Sequence, residues 1–181
     1  MPVWVSLLRA VNLGARNKVN MPALREALTE AGFDEVRTYV QSGNVVTRSS
    51  HRSPDAVAAA VREVVRSCSG VDTAVVVRSP KQLADVLAWN PFPEAAESRP
   101  NLVQVLHLVD RPAQDKVRAL LEADWGPDEV AARGQEVVLS FATGVQGSRL
   151  QPATALKRLG VDGTGRNWRT LTALVEMTAT T

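Results

Sequence analysis

A chain of 181 residues is long enough to bury one substantial core or the cores of two small subdomains. Apolar residues make up 45% and charged residues 22%, which excludes a disordered chain, and no apolar run approaches the roughly 18 residues that a membrane span needs. Because the start of the chain lacks the pattern of a signal peptide, and the lone Cys68 has no partner for an internal disulfide, we predict a cytoplasmic protein.

The net charge of +2 is unevenly distributed along the chain. Residues 1–20 contain three basic groups and no acidic one, residues 143–170 contain five basic groups and one acidic group, and residues 81–140 contain six basic and ten acidic groups. A basic beginning and end predict one shared positive surface. An alternative explanation is a compositional bias toward arginine, which accounts for the arginine total better than for the clustering.

The first third of the chain begins with "PVWVSLLRAV", a nearly continuous apolar run typical of a central strand. "MPALREALTEAG" then predicts a helix that ends at Gly32, with an inward face of Met21, Leu24, Leu28 and Ala31. "EVRTYVQS" and "VVTRS" follow as two strands. The dipeptide Gly43-Asn44 between them predicts a two-residue type II′ hairpin turn.

The next elements complete a βαββαβ order. Ser53 and Pro54 are a typical helix cap and first residue, and "TAVVVR" predicts a strand after that helix. The spacing of Ser79 and Gln82 is that of a capping box and predicts another helix start. The helix that begins at Pro54 has a predicted core stripe consisting of Val57, Val61, Val64, Val65 and Cys68.

A proline-rich stretch, "WNPFPEAAESRPN", has no periodicity and indicates a connector over residues 90–101. We therefore predict a first subdomain with its trailing helix over residues 1–89. A second subdomain is predicted over residues 102–181.

The second subdomain repeats the order of elements. "LVQVLHLV" predicts a strand, "PAQDKVRALLEA" a helix with Val117, Leu120 and Leu121 inward, and "EVAAR" and "EVVLSF" a hairpin around Gly134-Gln135. "SRLQPATALKRLG" predicts a helix with a capping box in Ser148 and Gln151, and a last helix spans about 167–177, with Trp168 as a buried anchor. We predict an α+β fold of two ferredoxin-like (βαββαβ-type) subdomains side by side, with antiparallel sheets, helices packed on them and a helical C-terminus. The second subdomain is expected to end in helices instead of a last strand.

The sequence contains no recognisable catalytic or metal-binding motif. His51 and His107 have no Cys, His or carboxylate at the spacing of metal ligands, so we predict no metal site and no cofactor. His107, inside a predicted strand, is expected to be a sheet residue with its hydrogen bonds satisfied. Walker, dinucleotide-binding and nucleophile-elbow motifs are absent from the sequence.

The stretch "LLRAVNLGARNKVN" combines basic and amide side chains at a predicted helix start, which suits an anion. Asn20 there is equally a helix cap, and a solvated loop is the alternative. "TGRNWRTLTAL" contains the other Arg-Asn pair, with Arg166 and Arg169 expected at the surface, and "TGVQGSRL" is a third polar helix start. The candidate ligand-binding residues are Arg9, Asn12, Arg16, Asn17, Lys18, Gln41, Ser42, Asn44, Ser148, Arg149, Arg166 and Asn167.

Four segments together resemble the bacterial domain of unknown function 1697 family: "LLRAVNLGARNKVNMPALREAL", "YVQSGNVV", "NPFP" and "GRNWRTLTAL". The likeness covers essentially the whole chain. It implies a two-part α+β fold and a cytosolic bacterial protein, and it implies no activity. The chain departs from the family pattern at Ala10 and Ala15, where the family often has glycine, and at Arg149, where lysine is common.

Three functions compete on this sequence. The first is binding of a small anionic or nucleotide-like ligand, in a groove expected between the two predicted subdomains. The second is nucleic-acid binding, which the 4% aromatic content disfavours because few rings are present to stack on bases. The third is a metal-independent enzyme that uses Arg9, Gln41, Ser42 and Asn44, although no activated nucleophile is visible. A purely structural role is the remaining alternative.

Overall fold

The computed structural model describes residues 1–179, so the last two residues of the predicted second subdomain lie outside the described part. The chain divides into two compact units. The first unit contains residues 1–85 and the described C-terminal stretch from residue 173, and the second contains residues 86–172. Each unit has one four-stranded antiparallel sheet, which confirms the predicted α+β class.

The sheet of the first unit has the strand order β2-β3-β1-β4. Its strands are β1 (Val3–Leu8), β2 (Asp34–Tyr39), β3 (Asn44–Arg48) and β4 (Val75–Arg78). Helices α1 (Met21–Glu30) and α2 (Pro54–Ser69) make the two crossings, and α3 (Pro80–Trp89) follows β4. This βαββαβ arrangement is the ferredoxin-like one that the order of elements predicts.

The core of the first unit lies between the sheet and the two crossing helices. Met21, Leu24 and Leu28 of α1 are fully buried, as the helical periodicity predicts. They pack in one cluster with sheet residues such as Trp4 and Leu8. The side chains of α2 that join this cluster include Val57, Val61, Val65 and, partly buried, Val64.

Three predicted helix caps are present in the first unit. The Asn20 side chain accepts a hydrogen bond from Ala23 N–H at the start of α1, and the Ser53 hydroxyl accepts one from Ala56 N–H at the start of α2. At the start of α3, Ser79 N–H donates to Gln82 Oε1 while Gln82 N–H donates to Ser79 Oγ, which is a complete capping box.

The second unit repeats the topology, with the strand order β6-β7-β5-β8. Its strands are β5 (Val103–Leu108), β6 (Glu129–Arg133), β7 (Glu136–Ser140) and β8 (Gly163–Asn167). Its helices are α4 (Pro93–Ser98), α5 (Gln114–Glu122) and α6 (Pro152–Leu159), with a 3-10 turn at Pro100–Leu102. The predicted connector at 90–101 thus contains α4 and most of this turn. The last helix, α7 (Trp168–Ala179), begins in the second unit, and its residues from 173 onward belong to the first.

The prediction that the second subdomain lacks a last strand is wrong, because β8 pairs with β5 along its whole length. The segment "GTGRN" has neither the apolar alternation nor the β-branched content that marks a strand. Its glycines have a packing reason instead. A Cβ atom added at Gly163 would lie 2.7 Å from the His107 carbonyl oxygen, so only glycine lets β8 approach β5 this closely.

The core of the second unit lies between its sheet and helices α5 and α6. Leu106, Leu108 and Leu139 of the sheet pack against Leu120 of α5 and Leu159 of α6. Trp168, at the start of α7, is 6% exposed, so the prediction that it is buried is confirmed.

The two hairpin turns differ from each other. The turn at Gly134-Gln135 has two residues, as predicted, and Gly134 has a φ of 62°. In the first hairpin the prediction is wrong, because residues 40–43 form a four-residue connection and Asn44 is already the first residue of β3. Gly43 has a φ of 82° and ends that connection.

Most of the other differences between the predicted and the observed structure lie at helix ends. Ala31, Cys68 and Leu121 were expected inward, but all three are exposed. Each lies in the last turn of its helix or at its cap, and periodicity predicts a face but not where the neighbouring element stops covering it. Partial burial still raises the pKa of the Cys68 thiol. The predicted capping box of Ser148 and Gln151 is also absent, because α6 begins at Pro152 and Gln151 makes no side-chain cap.

No helix within residues 1–179 combines the length and the apolar character needed to cross a membrane.

Candidate functional site

Two loops of the first unit meet at the end of the sheet where β1 ends and β3 begins. They are the first loop, residues 9–20, and the hairpin loop, residues 40–43; together we call them the loop cluster. Asn12 joins them. Its Oδ1 accepts from Val19 N–H at 2.9 Å, and its Nδ2 donates to the carbonyl oxygens of Val19 at 2.9 Å and Gln41 at 2.7 Å. This side chain therefore stabilises the loop cluster.

Left-handed backbone is concentrated in the loop cluster. Four residues other than glycine have positive φ there, namely Ala10 (50°), Asn12 (55°), Asn17 (52°) and Val40 (50°). Asparagine adopts this region at little cost, but a β-branched valine does so only under constraint from its surroundings. The constraint at Val40 comes from the neighbouring hydrogen bonds of Gln41 and Gly43, whose carbonyl oxygens accept from Asn12 and from Leu8 N–H.

The basic side chains of the first loop differ in their environments. Arg9 is exposed, and its backbone is fixed to the segment before β4, since its N–H donates to the Ala74 carbonyl and its carbonyl accepts from the Thr73 hydroxyl. Arg16 and Lys18 are exposed, and neither forms a hydrogen bond or an ion pair with any residue in the described range. The absence of acidic residues from the loop leaves this positive charge unneutralised locally.

The amide and hydroxyl groups of this region have mainly structural partners. Asn17 Nδ2 donates to the Ala10 carbonyl at 3.2 Å, across the first loop. Asn44 is fully buried, and its Nδ2 donates to the Tyr39 carbonyl at 3.0 Å and to Ser42 Oγ at 2.9 Å, which fastens the hairpin loop. Gln41 is exposed and so presents its side-chain amide to solvent.

The candidate residues near α6 lie beside acidic groups. Arg149 is exposed, and its Nη2 is 3.5 Å from Asp124 Oδ1. The Gly126 N–H, followed by the Arg149 charge, lowers the pKa of Asp124 below the usual value. The Ser148 hydroxyl donates to Asp128 Oδ2 and accepts from Leu150 N–H. Asp124 and Asp128 are residues that the sequence reasoning missed, because they are more than 19 positions from their partners.

Arg166 was expected at the surface, and this is wrong, because it is 7% exposed within β8. Its Nη1 donates to Thr164 Oγ1 and to the Gly165 carbonyl, both at 2.8 Å. Burial lowers the pKa of its guanidinium to about 10. Strand alternation places the side chains of Thr164 and Arg166 on one face, away from the core glycines of β8, so the arginine has a role in the sheet. Asn167 ends β8 and caps α7 by accepting from Thr170 N–H.

His107 is fully buried and sits directly opposite Glu136 in the sheet, with Nδ1 2.6 Å from Glu136 Oε2. Both ring nitrogens are buried, and neither forms a hydrogen bond of normal geometry with any described residue, so beyond this close contact the expectation of a satisfied histidine is wrong. The contact depends on the register of β5 and β7, which spacing in the sequence does not reveal.

The structure thus brings the first-unit candidates Asn12, Gln41, Ser42 and Asn44 into one hydrogen-bonded region, beside which Arg16 and Lys18 are exposed. In the second unit, Ser148 and Arg149 adjoin acidic groups, and Arg166 and Asn167 belong to β8. The predicted convergence of the basic loops near the two ends of the chain on one site stays a prediction. Within residues 1–179, no three His, Cys, Asp or Glu side chains are grouped as metal ligands would be.

Comparison with known proteins gives the family. The sequence model of a family described as "Protein of unknown function (DUF1697)" matches residues 1–137. The chain belongs to this family. The resemblance is therefore confirmed over residues 1–137, which include the first three of the four sequence segments; the fourth, "GRNWRTLTAL", lies beyond the matched residues. No curated protein matches this DUF1697 member.

Among solved structures, this DUF1697 member is similar to a conserved bacterial protein from Streptococcus pneumoniae. The TM-score is 0.68 over 97% of this chain and 98% of that chain, at 20% sequence identity. At this identity the likeness shows a common fold over nearly the full length of both chains.

Proposed function

We propose that this protein binds a small anionic, nucleotide-like ligand at the loop cluster. The observation that carries the proposal is the pair Arg16 and Lys18, which are exposed, lack an acidic partner in the described range and lie just before the start of α1. Cations that have no ion pair of their own are available to an incoming anion, and the N–H groups at a helix start add to the attraction.

The hydrogen-bonded, rigid conformation of the first loop supports the same proposal. The hydrogen bonds of Asn12 and Asn17 and the cap at Asn20 hold the first loop in one conformation. A site that is already ordered loses less conformational entropy when a ligand binds. Residues with strained backbone also concentrate at binding sites, and Val40 is such a residue.

Exposed apolar side chains at the loop cluster favour a ligand that has a flat or apolar part as well as a negative charge. Leu13 is 68% exposed and Val40 is 51% exposed, and they adjoin Asn12 and Gln41, which are hydrogen-bonded to each other. Inorganic phosphate would leave both side chains in water, whereas a base or a similar ring would cover them. This is why a nucleotide-like ligand fits better than a simple ion.

Thermal-shift and calorimetric titrations with ATP, GTP, the corresponding nucleosides and inorganic phosphate test the proposal. We expect saturable binding of a nucleotide that stabilises the folded protein, weaker binding of the nucleoside and phosphate alone, and a loss in the variant Arg16→Gln/Lys18→Gln. The matched control is Arg52→Gln, which removes an exposed charge beyond the opposite end of β3 and should leave binding unchanged. No binding by any of these probes, or an equal loss in the control variant, contradicts the proposal.

Nucleic-acid binding is distinguished by its salt dependence. Non-specific binding to duplex DNA weakens by about 0.9 log unit per log unit of salt for each phosphate neutralised. Fluorescence anisotropy with labelled DNA and RNA at two salt concentrations measures this slope. Tight oligonucleotide binding with a steep slope and no nucleotide binding would replace our proposal with the nucleic-acid alternative.

A further inference from the structure

A cavity lies in the second unit, around the "NPFP" segment. Its volume is about 310 Å³, near the lower end of the range for small-molecule pockets. Three charged residues line it, Glu94, Arg99 and Glu129, and its apolar lining includes Phe92 and the flanking prolines. These residues come from α4 and its two ends and from the first position of β6.

Arg99 is the unusual member of this lining. It is half-buried, and its side chain forms no hydrogen bond or ion pair with any residue in the described part of the chain. Its Nε is wholly buried and has no partner there. A guanidinium has five N–H donors, and here the one on Nε is removed from water without an acceptor, which is unfavourable. The site therefore lacks an acceptor that a bound molecule would supply.

The backbone of Arg99 is fixed. Its N–H donates to the Ala95 carbonyl at 2.9 Å, and its carbonyl accepts from Leu102 N–H at 2.9 Å. The side chain thus projects from a rigid junction between α4 and the following 3-10 turn, so little backbone ordering remains for a ligand to induce.

The two glutamates of the cavity are also without partners. Glu94 and Glu129 are exposed, and neither carboxylate forms an ion pair with Arg99 or with any other side chain in residues 1–179. One guanidinium and two carboxylates therefore share a small cavity without neutralising one another. A simple anion would be repelled by the glutamates, and a simple cation by the arginine. A molecule with both charges close together complements all three groups.

We infer that this cavity binds a zwitterionic α-amino acid with an apolar side chain. The ligand carboxylate accepts from the Arg99 guanidinium, which matches a carboxylate in shape as well as charge. The ligand ammonium group lies toward Glu94 and Glu129, and its side chain contacts Phe92 and the prolines. This site is independent of the nucleotide-like ligand proposed for the loop cluster, since it lies in the other unit and takes a ligand of different charge.

Nuclear magnetic resonance titration of the whole protein with L-leucine tests the inference. L-Leucine methyl ester, which lacks the carboxylate, and N-acetyl-L-leucine, which lacks the ammonium group, are the matched probes. We expect saturable shifts from L-leucine at the backbone amides of residues 92, 94–99 and 129, and binding weaker by roughly tenfold or more for each probe, as the loss of a charge-assisted hydrogen bond implies.

Variants give a second readout. Arg99→Gln and Glu129→Gln should each weaken L-leucine binding by roughly tenfold or more, because each removes one of the charges that the ligand meets. Glu129 is exposed, so its substitution keeps the inference testable if Arg99→Gln destabilises the fold. Arg118→Gln, an exposed change on α5 in the same unit, is the control and should bind L-leucine as the unaltered protein does.

Two results would overturn the inference. One is the absence of saturable binding of L-leucine. The other is equal binding of L-leucine and both blocked probes, which would mean that the two charges of the ligand do not contribute to binding. The variant Arg16→Gln/Lys18→Gln should bind L-leucine normally, so a failure at the loop cluster and a failure at this cavity can be told apart.

Discussion

Arg78 and Arg166 occupy equivalent places in the two sheets. Arg78 is paired with Val5 in the first sheet and Arg166 with Val105 in the second, and Nη1 of each donates to the carbonyl of the residue before it, at 3.0 and 2.8 Å. Both side chains are almost fully buried. The repeated order of elements thus extends to the register of single residues, although the two halves have little sequence in common.

Removing an acceptor from Arg166 should destabilise the protein. Since burial lowers the pKa of this guanidinium only to about 10, it stays charged at neutral pH and needs its acceptors. Thr164→Val deletes the hydroxyl that accepts at 2.8 Å, and we expect a loss of about 1–3 kcal/mol in the free energy of unfolding, measured with urea. Thr154→Val, on α6 with no side-chain hydrogen bond, should change stability little, and an equal loss in both variants would contradict the explanation.

Gly43→Ala should be more destabilising than Gly32→Ala, although both glycines have a similar positive φ. A Cβ at Gly43 would lie 2.6 Å from Val11 Cγ2 and 2.7 Å from Leu8 Cβ. At Gly32, whose φ of 88° is similar, a Cβ would meet nothing within 4 Å. We expect Gly32→Ala to cost about 1–2 kcal/mol for backbone conformation. Gly43→Ala should cost roughly 1–3 kcal/mol more, because of overpacking. Thermal unfolding compares the two, and similar losses would refute a close approach at Gly43.

Asn12→Ala should loosen the loop cluster. The substitution removes three hydrogen bonds that join the first loop to itself and to the hairpin loop, so the Val19 amide should lose its protection from hydrogen exchange. The free energy of unfolding should fall by about 1–3 kcal/mol. Asn20→Ala, which removes a single helix-capping bond, is the comparison and should leave Val19 protected. Unchanged exchange at Val19 in Asn12→Ala would show that the loop is held by other contacts.

Trp168→Ala should reduce the free energy of unfolding by roughly 3–5 kcal/mol, as truncation of a large buried aromatic does. The ring is 6% exposed at the start of α7. Trp168→Phe keeps an aromatic ring and should lose clearly less. Urea unfolding followed by circular dichroism measures both variants, and a small loss in the alanine variant would indicate a ring that contributes little to packing.

The pKa of Asp124 should stay low when Arg149 is removed. The larger cause of its lowered pKa is the hydrogen bond from Gly126 N–H, and the Arg149 charge comes second. A carboxyl whose folded pKa is lowered stabilises the fold above its unfolded pKa and loses that contribution as the pH falls through the folded value. Carboxyl carbon titration by nuclear magnetic resonance should therefore give Arg149→Gln an Asp124 pKa above that of the unaltered protein but still below the usual value. A full return to the usual value would mean that the arginine is the main cause.

Local chemistry made much of this protein predictable from its sequence. The helix starts at Asn20, Ser53 and Ser79 depend on side chains that bond to backbone three residues away, and the buried face of α1 follows from helical spacing. The order of elements then restricts each half to a ferredoxin-like topology. All of these features are determined by neighbours close in the sequence.

Tertiary structure decided the features whose partners are distant in the sequence. The strand β8 forms because glycines permit a close approach to β5, Arg166 is buried by sheet pairing, and Ser148 bonds to Asp128 instead of capping α6. The lining of the proposed amino-acid cavity likewise combines Arg99 with Glu129, thirty positions later. Sequence alone determined most of the helices and strands, because those preferences are local, but it did not predict α4 within the proline-rich connector. Which charges become neutralised and which remain available to a ligand was decided only on folding, because Coulomb interactions and burial depend on distances in space.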